Sequence, residues 1–258
     1  MKYVPIEEAR AAGGLRLVLT GGLPAPWSEA AKGVFRVRKL DYIPVLQQGG
    51  GANEDLVAWT GHRNAPTAIY GNEPPRVSAV DMINLAERLG SGPSLVPGNL
   101  PERVQMFGLL NELAGENGMA WNARILMFKA MIETMGEEAM AGNPMLRDYH
   151  YSEADVPAAT GRVIEILQAL SDQLKIQGAA GSRYFVGKGL TALDIYWACF
   201  SQMLDTLPQE VNPMPDYMRN VWGLTARALH DAGYGLDTLL LEHRDHIFPT
   251  YLQWPLDF

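Results

Sequence analysis

The sequence predicts an α/β N-terminal half followed by an all-α C-terminal half. Three observations predict it. Over the first ninety residues, short apolar runs rich in branched side chains alternate with amphipathic stretches. The segment GSGPSLVPGNLPE, Gly90 to Glu102, is dense in Gly and Pro and breaks that pattern. Beyond it apolar residues recur almost only at helical spacing, with no internal repeat and no low-complexity tract.

LRLVLT (Leu15–Thr20) is short, apolar and branched, and reads as a buried strand. A Gly/Pro turn follows. Trp27–Leu40 then reads as a helix, with Pro26 at its start, where a missing N–H costs nothing. YIPVLQ (Tyr42–Gln47) is a second strand, and Pro44 places it at a sheet edge. The helix between these strands makes them parallel, with a right-handed crossover. A loop and a short helical turn lead through Trp59 to a third strand, Thr67–Tyr70. GNEPP is turn chemistry, and Arg76 and Val77 leave room for a very short fourth strand, antiparallel to the third. Ser78 starts an amphipathic helix, with Asp81 at capping-box spacing.

Past the linker, the stretch from Arg103 to Met135 reads as one long helical segment carrying Gly108, Gly115 and Gly118. Glycine in a helix costs about 1 kcal/mol relative to alanine, so three of them mark close packing or close ligand approach. Val163, Ile166, Leu167, Leu170 and Leu174 mark another amphipathic helix. LTALDIYWACFSQML is apolar nearly all round and therefore buried. Thr191 as N-cap and Asp194 three residues on form its capping box.

The 258 residues are 47% hydrophobic and 19% charged, with a net charge of −8. An acidic chain repels phosphate backbones and anionic lipid, so neither nucleic acid nor a membrane is an expected partner. A single cysteine, Cys199, excludes an internal disulfide and a paired-cysteine redox motif. It stands in IYWACF, where a small buried hydrophobe is expected. Glu7 and Glu8 stand where a signal peptide would be apolar, so a cytoplasmic protein is expected. His243 and His246 are three apart on a helical stretch, a spacing that can hold a metal, but no third ligand accompanies them and none is expected to bind. The chain has no serine elbow, P-loop or dinucleotide glycine fingerprint.

Three further segments belong together. APWSEAAK (Ala25–Lys32) opens the first helix after a strand. NAPT (Asn64–Thr67) sets a proline ahead of the third strand. FVGKGLTALDI (Phe185–Ile195) opens the buried helix. In this order and spacing they resemble the cytosolic glutathione transferases, and the resemblance runs from about Leu15 to nearly the end of the chain. It implies a thioredoxin-like, glutathione-binding domain over residues 1–90, a linker over 91–102 and a helical-bundle domain over 103–258. It also implies a cis bond at Pro66, glutathione as co-substrate, a small hydrophobic electrophile as its acceptor, a detoxifying conjugation in the cytoplasm and a homodimer. Trp27, Arg63, Asn64, Ala65, Pro66, Val77 and Ser78 are the positions it assigns to glutathione. Ser78 would serve twice, because a helix start favours an anion as well as a cap. Arg76 is a further nearby cation.

Two positions depart from the family pattern. Ala25 stands where a Tyr, Ser or Cys usually activates the thiol, and Val77 replaces an acidic residue. A free thiol has a pKa of about 8.5, so something must hold the thiolate. The candidates are the hydroxyl of Ser28, that of Thr20, and the backbone N–H groups of Trp27 and Ser28. The acceptor pocket is expected along GENGMAWNAR, with Gly118 permitting approach, Trp121 as an aromatic wall and Asn122 as a polar handle. The alternative is a catalytically silent binding or structural protein on the same fold; lyase, isomerase and peroxidase variants share the scaffold.

Overall fold

A computed structural model describes all 258 residues. Strands β1 (Leu15–Thr20), β2 (Ile43–Gln47) and β3 (Thr67–Tyr70) form one sheet in the order β2-β1-β3. β1 pairs parallel with β2, Val18 opposite Val45, and antiparallel with β3, Leu17 opposite Ala68. The edge place expected for β2 from Pro44 is where it lies. Val4 closes that edge by donating its N–H to the Pro44 carbonyl at 2.9 Å. The expected fourth strand shrinks to a single bridge between Arg76 and Ala68, because the two prolines before it leave no room for a longer ladder.

β1 is buried on both faces because both are covered. Leu15, Leu17 and Leu19 join the main core, with α2 (Pro26–Val37) and α4 (Ala79–Leu89). Val18 points the other way, toward Ala9 of α1 (Ile6–Ala11) and Leu56 of α3 (Glu54–Thr60). Ser78 caps α4 as expected, its hydroxyl accepting from the Asp81 N–H at 3.1 Å.

The helical half follows: α5 (Leu100–Ala114), α6 (Met119–Met135), α7 (Glu137–Met140), α8 (Pro144–Asp148), α9 (Val156–Ala179), α10 (Ala192–Phe200), α11 (Asp216–Asp231) and α12 (Thr238–Tyr251). The single segment expected from Arg103 to Met135 is two helices. Gly115 ends α5 and Gly118 caps α6. A Cβ on Gly118 would stand 2.6 Å from the Glu112 carbonyl oxygen and 2.9 Å from that of Gly115, so the approach this glycine permits is that of the chain itself. No helix is long and apolar enough to cross a membrane.

All nine residues of α10 are buried, and its start is built around a carboxylate. Asp194 accepts from the Thr191 N–H at 2.7 Å, the Thr191 hydroxyl at 2.6 Å, the Phe185 N–H at 2.9 Å and the His243 ring at 2.8 Å. His243 of the metal-spaced pair is thereby held in the core, while His246 lies beside Arg183. Losing one partner of a buried polar pair costs about 1–3 kcal/mol, more for a charge. Asp194→Ala should therefore lower unfolding stability by about 3–5 kcal/mol. Thr191→Ala should cost about 1 kcal/mol. Denaturant melts of the two variants check the order.

Candidate functional site

The site is built where α2 begins. Ala25 turns the chain into the helix, and Glu29 is the first residue whose N–H reaches back, to the Ala25 carbonyl at 2.9 Å. Pro26 has no N–H. The N–H groups of Trp27 and Ser28 precede the first helical carbonyl and bond to nothing ahead of the helix. This leaves a pair of donors at the positive end of the helix dipole.

The two candidate hydroxyls differ. Thr20 donates its proton to Gln47 Oε1 at 2.9 Å. Ser28 Oγ accepts the Thr20 N–H at 3.3 Å and donates to no acceptor in the protein. Ser28 is 1% exposed, so it stands beneath the helix start rather than on it.

The loop before β3 is tied to the same end of β1: Gln47 bonds both the Arg63 carbonyl and Thr20, and Thr20 donates its N–H to Ser28. The Ala65–Pro66 bond is cis, as expected. Ala65 is half-buried, and neither its N–H nor its carbonyl makes a hydrogen bond, so one peptide edge is left unpaired. Asn64 is exposed, and its carbonyl accepts the Thr67 hydroxyl at 3.0 Å. Arg63 forms an ion pair with Asp148 of α8. At the α4 start, Val77 is exposed and Ser78 donates its proton to the Asp81 carboxylate at 2.8 Å. Arg76 is paired with Glu73 at 2.9 Å.

Trp27 couples the helix start to the helical half. Its indole N–H donates to the Ala114 carbonyl at 3.2 Å, and its ring meets Phe200 of α10 edge-on at 4.7 Å. Arg124 of α6 stands over the same ring, 5.8 Å from the centroid. One turn earlier on α6, Trp121 packs against Tyr149 with ring centroids 4.6 Å apart. Trp121, Asn122, Ile125 and Tyr149 line a cavity of about 410 Å³ that α9 closes with Ala159 and Arg162. Gly118 does not line it. The Asn122 amide donates to the carbonyls of Asn117 and Gly118, both at 2.9 Å, and so braces the turn before α6.

No protein-family model and no curated protein matches this sequence. Solved structures do match its shape. A glutathione S-transferase from Methylobacillus flagellatus with GSH bound gives a TM-score of 0.55 at 13% identity, covering 89% of this chain and 98% of that one. The Tau class enzyme of mango gives 0.52 at 19% identity, over 89% and 96%. A maleylacetoacetate isomerase from Methylobacterium extorquens, with malonate and GSH bound, gives 0.53 at 15% identity, over 88% and 96%. The chain has the glutathione S-transferase fold.

Within this fold the sequence pattern does not reveal the residues that tie the site together. Gln47 is one. Its amide oxygen takes the Thr20 proton, and its Nε2 donates to the carbonyls of Gln48, at 3.0 Å, and Arg63, at 3.4 Å. One buried amide thus joins the ends of β1 and β2 to the Arg63–Pro66 loop, yet a Gln at a strand end carries no signature. Arg124 and Asp148 are others, since both act on residues remote in sequence. Gln47→Leu leaves the Thr20 hydroxyl without an acceptor. It should cost about 1–3 kcal/mol in a denaturant melt, with amide hydrogen exchange quickening in the Arg63–Pro66 loop.

Proposed function

We propose that the chain is a glutathione-dependent transferase that adds the glutathione thiolate to a small apolar electrophile. The observation that carries this reading is one convergence: the unpaired N–H groups of Trp27 and Ser28 and the free peptide edge of Ala65, on a fold shared with proteins solved with GSH bound. The Ala65 edge suits the peptide backbone of a cysteinyl residue. Residues 1–90 hold the tripeptide, residues 91–102 link, and residues 103–258 supply the acceptor pocket at Trp121 and Asn122. The α4 start takes a ligand carboxylate once Ser78 releases Asp81. Helix-start N–H groups act on the sulfur as an oxyanion hole acts on oxygen. Of the two candidate hydroxyls, Ser28 is the one whose proton is free to join them.

Calorimetric titration with glutathione and S-methylglutathione should show saturable binding of both. Absence of binding at millimolar ligand would remove the reading. Ser28→Ala should lower kcat/KM for conjugation about tenfold or more; unchanged kcat/KM would leave the backbone N–H groups as the only donors at the helix start. Ala25 and Val77 favour a second reading, a binding protein that keeps the tripeptide site without turnover. Turnover of several electrophiles would exclude it.

The resemblance also proposes a cytoplasmic homodimer. Leu100 and Val104, one turn apart on α5, are 65% and 63% exposed, and Val77 and Val80 at the α4 start are exposed too. Burying such a surface is what a dimer would do. Sedimentation should give twice the mass of one chain, and Leu100→Glu with Val104→Glu should shift it toward the monomer. A monomeric native protein would refute the assembly.

A further inference from the structure

Arg124 stands apart from every comparable side chain in the protein. Nine arginines are buried or half-buried. Eight donate to at least one carboxylate or carbonyl oxygen. Arg124 donates to none. Its Nε is buried without a partner, and its only contact of this kind is Nη1 to the Met127 sulfur at 3.5 Å. A guanidinium is always charged and has five donors in a fixed fork. Withdrawn from water, it is stabilised by an anion. Arg124 lies over Trp27, the first residue of α2 with a free N–H.

We propose that Arg124 is the cation that keeps the sulfur of the bound tripeptide ionised, supplying from the helical half the anion stabilisation that Ala25, with no side-chain donor, cannot supply from its own position. The inference rests on the glutathione reading above and deepens it. Helix-start N–H groups carry dipoles but no net charge, and a full charge in a partly dry cleft acts more strongly. The thiol proton leaves to solvent, and Arg124 stays protonated throughout.

The surrounding charges do not compete for it. Glu29 is paired with Lys32 on α2, Asp148 with Arg63, and Glu112 with Arg162. Glu116 and Asp155 line the cavity and are exposed. Glu29 is buried against the far side of α2, where desolvation raises its pKa, and its oxygens take the Lys32 ammonium at 2.9 and 3.0 Å.

Two measurements test the inference. In the native protein, S-methylglutathione is compared by calorimetry with glutathione sulfonate, which carries a fixed negative charge at sulfur. Both should bind, the sulfonate about tenfold more tightly, equivalent to about one pKa unit. Equal affinities overturn the inference and leave the glutathione reading standing. No binding of either overturns both. The thiolate absorbance of bound glutathione is then titrated against pH. In Arg124→Met the midpoint should rise by about one unit, and in Arg124→Lys it should stay near the native value. An unchanged midpoint in Arg124→Met overturns the inference. Should that variant not fold, Arg124→Gln replaces it and is read by the same midpoint, an unchanged value again overturning the inference.

Discussion

The buried carboxylate of Asp194 is the constraint on which the rest of the structure depends. It gathers donors from three places: the loop before α10, the N-cap residue of α10, and α12. A charge with no exposed surface survives only when fully hydrogen-bonded. Each donor therefore fixes its own segment. α10 is thereby held at one height in the core, and Phe200 at its far end meets the Trp27 ring. The start of α2 takes its position from a carboxylate in the other half of the molecule.

The contacts across the two halves follow from that placement. Trp27 bonds to the end of α5 and lies under Arg124 of α6, and Arg63 reaches Asp148 of α8. On the far side of α2, Lys32 donates to Glu29 and to the Asp257 carbonyl, tying the helix to the last residues of the chain. α2 is gripped on both sides, and its N-terminal donors are held rigidly enough to act as preorganised dipoles.

What was legible in the sequence is what local chemistry decides. β1, β2 and β3 stand where branched apolar runs placed them, Pro44 marked an edge strand, and Ser78 and Thr191 with Asp194 marked two helix starts. The break between α5 and α6 was not legible. Gly115 and Gly118 fit a helical period as well as they fit its interruption, and the deciding contacts are with the carbonyls of the preceding turn. Gln47 and Arg124 were hidden for a second reason. Their partners lie in other elements, so nothing in their own neighbourhood distinguishes them from ordinary polar residues. Asp148 was hidden likewise, on a short helix whose contact with Arg63 only the fold creates.

Ala25 takes on a different meaning in this light. A hydroxyl at that position would be one neutral donor, and its loss need not empty the site of thiolate-stabilising groups. The backbone N–H groups beside it are unaffected by the side chain, because they exist wherever a helix begins. The remaining need is a net charge, and the residue that provides it must come from an element that the chain order places far away. A partly buried arginine with no acid of its own is costly in a resting protein. That cost is tolerable where a ligand brings the missing anion, and the proposed thiolate is such an anion. On this reading thiol activation has moved from one side chain in the first half to a helix start and a cation held together by the packing of the second.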